Sequence, residues 1–302
     1  MKKFLFPVIF AVVLAAFTGY VLLDTFVITR VYTPVPSGES GGTEATRSDN
    51  EATTQPMTPV VTDRSYQDSN ISITITEYRQ YDTAIYVADV RLSSAEYLKT
   101  ALANGVYGKN VKAKTSEIAQ EAGAILAING DYYGARESGF VLRNGTLYRD
   151  TPASDREDLV IYDDGGFGII KESQTTAQLL SDAGARQILS FGPGLVNGGE
   201  ILVSRDAEVS QASTSNPRTA IGMVDKLHYL LVVSDGRTDE SAGLSLYELA
   251  EFLGSLGAVT AYNLDGGGSS TMYFNGEVIN NPTSGGNNIK ERRVSDIVCI
   301  GY

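Results

Sequence analysis

The sequence holds one cysteine, Cys299, and one histidine, His228, among 302 residues. One cysteine excludes a disulfide within the chain, and the pair together exclude a zinc site of the usual Cys/His kind. A Ser-His-Asp or Cys-His arrangement would have to use His228. That residue opens the apolar run "KLHYLLVV", with nothing like a nucleophile elbow around it, and reads as a structural strand residue. Cys299, in "SDIVCIGY", reads as a buried thiol. Basic residues are scarce as well: 24 Lys and Arg against 36 Asp and Glu give a net charge of −12. That balance argues against nucleic acid as a partner and against non-specific adsorption to an anionic surface.

What the chain does have, first, is a long apolar run. After "MKK" it reads "FLFPVIFAVVLAAFTGYVLL", Phe4 to Leu23, without a charge. Twenty such residues in a helix span about 30 Å, the thickness of a bilayer core. Lysines before the run and no small-residue cleavage site after it favour an uncleaved signal anchor over residues 1–31, with the remainder extracytoplasmic. Residues 32–64, rich in Pro, Ser, Gly, Thr and Glu without apolar periodicity, read as a flexible stalk. A single domain is expected over 65–302.

Within it, "ISITITEYRQ" alternates as a half-buried strand, and "TAIYVADVRL" and "AILAING" read as more fully buried ones. "SAEYLKTALANG" has helical spacing with Ser94 as its cap. "TSEIAQEAG" reads as a helix from a Thr115 cap to a Gly123 stop. "VLRNGTLY" and "YFNGEVIN" carry Asn-Gly between apolar runs, the hairpin signature. "LSLYELAEFLGSLGA" is an amphipathic helix leading into the strand "VTAYNLD". The fold class expected is α+β: a mixed β-sheet with hairpins and a few packed helices.

The informative pattern is that several strands end in polar residues. "AINGDYY" delivers Asn129 and Asp131, and "NPRTAIGM" begins a strand with Arg218 and Thr219. "VVSDGR" ends one in Asp235 and Arg237, and "YNLDGGGSST" ends another in Asn263 and Asp265, followed by Gly266, Gly267, Gly268, Ser269 and Ser270. If these ends share one cleft, it contains carboxylates, arginine forks and glycine-freed N–H groups. Arginines and an N–H nest suit phosphate oxygens, and paired carboxylates suit glycoside cleavage. Together they suit a sugar joined to a phosphate. An alternative stays open: Asp131, Asp235 and Asp265 holding a divalent cation such as calcium through oxygen ligands. No other cofactor is implied.

In this order the motifs "AINGDYY", "FGPGLVNGG", "NPRTAIGM", "VVSDGR", "GLSLYELAEFLGSLGAVTAYNLDGGGSSTMY" and "ERRVSDIVCI" resemble the phosphodiester glycosidase family. The resemblance covers most of residues 84–300 and implies hydrolysis of a sugar-1-phosphodiester, with exopolysaccharide-related bacterial members. It implies substrate-contacting or acid/base roles for Asn129 and Asp131, and phosphate binding by Arg218 and Arg237. Asp235 would orient Arg237 or the sugar, and Asp265 would be the essential carboxylate. Gly266 to Gly268 would form the nest, Ser269 and Ser270 would add hydroxyls, and Glu291 with Arg292 would close the site. Two departures are visible: the lysosomal member is cysteine-rich and this chain is not, and "DYY" is bulkier than in many relatives. A non-catalytic, membrane-tethered binding module for anionic glycan polymers is the rival reading.

Overall fold

The computed structural model describes residues 5–35, 58–205, 214–285 and 288–302, so most of the expected stalk lies outside the described residues. Alternation sets the first long hairpin. In Ile71–Gln80 the side chains of Ile71, Ile73 and Ile75 point inward, and Thr83–Leu92, buried on both faces, pairs with it antiparallel over its whole length. This hairpin sits in a nine-stranded sheet. Its order is Glu200–Ile201, Gly194–Asn197, Thr260–Asn263, Arg218–Asp225, His228–Ser234, Thr83–Leu92, Ile71–Gln80, Ser65–Gln67 and Val60–Val61. Two five-stranded sheets accompany it. One runs Glu277–Val278, Met272–Phe274, Leu126–Asn129, Asp296–Ile300, Leu98–Leu102, and the other Thr146–Arg149, Val141–Arg143, Ala185–Leu189, Glu157–Tyr162, Phe167–Lys171. All these ladders are antiparallel.

The largest core lies where the three sheets meet. It joins Ile73, Tyr86, Leu231 and Tyr262 of the large sheet to Ile128, Phe274 and Val298 of one small sheet and Leu159 and Leu189 of the other. The outer face of each sheet is covered by a helix. α4 (Leu246–Ser255) buries Leu249, Phe252 and Leu253 on the large sheet. α2 (Thr115–Glu121) covers the first small sheet through Ile118 and Ala119, and α3 (Ala177–Asp182) the second through Ala177 and Leu180. The α+β class with hairpins and packed helices is therefore the architecture observed. Both Asn-Gly hairpins form, with positive φ at Asn144, Gly145, Asn275 and Gly276. Ser245 caps α4, with Glu248 completing the capping box.

Three sequence readings shift. The stretch after Ser94 forms only a short 3₁₀ turn, Ala95–Tyr97, and then becomes strand Leu98–Leu102, because pairing with Asp296–Ile300 outweighs its helical spacing. The cap of α2 is Lys114, whose N–H is taken by Glu117, and Thr115 is already helical. Both described ends of the expected stalk join the domain: Val60–Val61 is an edge strand of the large sheet, and Val35 N–H bonds the Leu147 carbonyl. α1 (Leu5–Phe26) is long and apolar enough to cross a membrane, and no part of its apolar span is buried against the domain. His228 bonds Asp89 on the neighbouring strand, and burial pushes the Cys299 thiol up to about 12.

Candidate active site

Antiparallel pairing dictates what meets at one edge of the large sheet. The start of Arg218–Asp225 lies beside the ends of His228–Ser234 and Thr260–Asn263, so Arg218, Asp235 and Asp265 emerge on the same side. At about 4.8 Å per strand, Asp235 and Asp265 stand roughly 10 Å apart. Leu126–Asn129 joins this edge from the small sheet. Asn129 donates to the Asp265 carbonyl at 2.6 Å, and its own oxygen accepts from Thr219 Oγ1 at 2.8 Å and Thr271 N at 3.2 Å. Asn129 and Thr219 are fully buried, and their hydrogen bonds tie the two sheets together.

The three glycines after Asp265 answer to close packing. Gly267 has φ +62, and a Cβ there would lie 2.8 Å from Arg237 Nη2; one on Gly268 would lie 2.8 Å from Arg292 Nη2. A Cβ on Gly266 would press the Pro217 carbonyl oxygen at 3.0 Å. Of the expected N–H nest, Gly267 N donates to Pro217 O, and just beyond it Ser269 N donates to Gly266 O and Ser270 N to Gly267 O. What the glycines admit is arginine. Arg237, itself at φ +63, is held by Asn216 Oδ1 at 2.9 Å, and Arg218 by the carbonyls of Leu244 and Thr214. Burial, with Arg237 beside it, pushes the Arg218 guanidinium down to about 10.

Asp265 is half-buried inside this group. Burial raises its pKa, while Ser269, Arg292, the Gly266 N–H and Arg136 pull it back. Arg136, not foreseen in the sequence, lies over the Phe191 ring at 5.1 Å and near Tyr132 at 6.0 Å, with Nη1 on the Ser190 carbonyl at 2.7 Å. Tyr132 is exposed at φ +65, backbone strain of the kind found at working sites. Nearby, Asn263 holds the Gly192 carbonyl at 2.8 Å, while its Oδ1 and the Ser270 and Thr271 hydroxyls are buried with no partner among the described residues.

The other expected carboxylates are occupied elsewhere. Asp131 is fully buried: Arg143 Nη2 bridges it to Asp296 at 2.8 Å each, and the N–H groups of Tyr133 and Ser190 complete its shell. Gly130 lets this pair form, since a Cβ there would fall 2.2 Å from Asp296 Oδ1. Burial and Asp131 raise the Asp296 pKa despite Arg143. Asp235 orients the Asn280–Asn281 turn, accepting from Asn281 N at 2.8 Å and Asn280 Nδ2 at 3.0 Å; Arg237 does not touch it. Glu291 turns away to the start of α2, accepting from Ser116 N at 3.0 Å and Oγ at 2.6 Å, while Arg292 alone faces the glycine loop. Asp131, Asp235 and Asp265 thus form no common ligand set, and among the described residues no three Asp, Glu, His or Cys side chains converge as for a metal.

The edge of the large sheet thus brings Asp265 and its glycine loop together with Arg136, Arg218, Arg237 and Arg292. Residues 122–301 match the family model described as phosphodiester glycosidase, and the chain belongs to that family. It is 30% identical over 203 residues to the SPbeta prophage-derived uncharacterized protein YomE of Bacillus subtilis (strain 168), covering 65% of this chain and 31% of that one. It is 29% identical over 209 residues to the N-acetylglucosamine-1-phosphodiester alpha-N-acetylglucosaminidase of Bos taurus, covering 63% of this chain and 39% of that one. The chain thus spans well under half the length of these curated relatives. The fold matches the catalytic domain of the zebrafish enzyme of that name, auto-inhibited by its pro-peptide. The TM-score is 0.61 at 21% identity, over 77% of this chain and 83% of that one.

Proposed function

We propose that this chain hydrolyses the bond between a sugar's anomeric carbon and a phosphodiester, with the domain extracytoplasmic and held to the membrane by α1. A cell-surface or exopolysaccharide glycan bearing such a linkage would be its substrate. The observation that carries the reading is Asp265 among Arg136, Arg218, Arg237 and Arg292. A glycosidic alcohol leaves only when protonated, but a phosphate leaves as a stable anion, its second pKa being about 6. Such a leaving group needs positive charge more than it needs a general acid. Four guanidinium groups supply that charge, and Asp265 is left to act in its ionised form on the anomeric side, as nucleophile or as base for water. In the net reaction the C1–O bond to phosphate breaks and water's oxygen bonds C1. One water proton stays on the new sugar hydroxyl; the other goes to the phosphomonoester or to solvent. The names of the mammalian relatives make α-GlcNAc-1-phosphodiesters the first compounds to assay.

The binding-module reading draws on a specific observation: Asp131, Asp235 and Glu291 are committed to structural hydrogen bonds. Incubating the full chain in detergent with the methyl phosphodiester of α-GlcNAc-1-phosphate separates the two. Catalysis releases free GlcNAc. Saturable, salt-sensitive retention without release, across a panel of sugar phosphodiesters, would make it a binder.

A further inference from the structure

The apolar helix does not leave the domain freely. The last carbonyls of α1 have no helical partners, and a domain side chain meets the helix end: Asn110 Nδ2 donates to Thr25 O at 3.2 Å and, just past the helix, to Ile28 O at 3.0 Å. Lys109 reaches Asp24 at 3.3 Å, and Asp24 also pairs with Arg30. The Arg30–Val31 strand pairs antiparallel with Gly108–Lys109, and the rings of Tyr32 and Tyr107 meet at 5.9 Å. A cavity of about 420 Å³ lies at this seam, with Arg30, Tyr32, Tyr107, Lys109, Arg136 and Arg149 in its walls. A chain of net charge −12 here places four cations around one cavity, and among the described residues the only acid in its lining is Glu137, which pairs with Lys109 at 2.9 Å. Arg149 Nη2 is buried with no hydrogen-bond partner among the described residues. One of the four, Arg136, is the guanidinium whose charge also acts on Asp265.

A cavity that begins where a membrane-length helix ends, is walled by cations and tyrosines, and shares an arginine with the site suits a ligand that is anionic at one end and embedded in lipid at the other. Resting on the phosphodiester glycosidase reading, we propose that the substrate is a membrane-embedded lipid carrying its sugar on a phosphodiester headgroup. The phosphodiester lies at Arg136 with the sugar towards Asp265. The lipid chain leaves through the cavity past Tyr32 and Tyr107, and Arg30 and Lys109 face the phosphate layer of the bilayer.

The test uses the full chain in phosphatidylcholine vesicles and two probes, the hexadecyl and the methyl phosphodiesters of α-GlcNAc-1-phosphate. The expected kcat/KM is at least about tenfold higher for the hexadecyl compound, some of it from concentration at the surface. Arg30→Gln and Tyr32→Ala leave α1 in place, so a preference due to concentration alone survives them; the cavity's share is lost, and the ratio falls severalfold through a rise in KM for the embedded lipid. An equal rate on both probes, or a ratio untouched by both variants, overturns the inference and leaves the glycosidase reading standing. No release from either probe overturns the glycosidase reading instead. In that case a 1:1 adduct of the hexadecyl lipid seen by native mass spectrometry, absent in Arg30→Gln, upholds the cavity as a lipid site, and no adduct overturns it.

Discussion

Two aspartates from two neighbouring motifs, Asp131 in "NGD" and Asp265 in "NLDGGG", have opposite surroundings. Asp131 has its charge cancelled inside the protein by Arg143, which is 2% exposed, and its oxygens are filled by backbone N–H groups. Asp265 lies at a sheet edge where arginines approach through glycines and where buried hydroxyls have no partner among the described residues. A buried ion pair is costly to break and gives little to chemistry; a half-buried carboxylate among cations that are not fully paired with it is poised to act on something else. The same residue type in similar motifs therefore supports the fold in one place and, under the proposed function, serves the chemistry in the other.

The largest effect expected from this contrast is structural. Asp296→Asn or Asp131→Asn leaves Arg143 with one carboxylate and takes a charged acceptor from buried N–H groups, which costs about 1–3 kcal/mol and lowers the melting temperature by about 5 °C. A melting temperature within a degree or two of the parent would mean that the ion pair does not hold the fold. Next come the arginines at the other region: Arg237→Ala and Arg292→Ala should each lower kcat/KM by about 10- to 100-fold through lost charge-assisted bonds, without a comparable loss of stability.

The pH dependence sharpens the comparison further. Asp265 acts ionised and its folded pKa is raised, so activity is present above that pKa and lost as pH falls through it, at a pH above the ordinary carboxylate value of 3.8. Asp158, buried beside Glu172, is pushed up to about 9. Between about pH 4 and 9 the folded chain keeps a proton that the unfolded chain has lost, so stability falls as pH rises, by at most about 1.4 kcal/mol per pH unit. Asp158→Asn should flatten that slope in a melting series. The smallest effect is at Glu291. Glu291→Gln should cost about 1 kcal/mol through the start of α2 and leave kcat within a few-fold, which an activity assay and a melt would show together.

Much of this was legible in the sequence. The Asn-Gly hairpins, the amphipathic helix Leu246–Ser255, the alternation of Ile71–Gln80 and the placing of Arg218, Arg237 and Asp265 at strand ends all follow from local pattern. What was not legible depended on long-range pairing. Nothing near Asp131 announces Arg143 and Asp296, the latter 165 positions away, and nothing near Glu291 announces Ser116, 175 positions away. Arg136 lies three residues past the "AINGDYY" motif, and its orientation depends on Phe191 from a distant loop. The strand Leu98–Leu102 was hidden by helical spacing until its partner was in place.

The most direct measurement is GlcNAc release by Asp265→Asn beside the parent chain, with melting curves on the same samples. The account predicts a loss of about 10³-fold or more in kcat with the melting temperature nearly unchanged. Turnover within tenfold of the parent, or a variant that loses activity only because it unfolds, would contradict it.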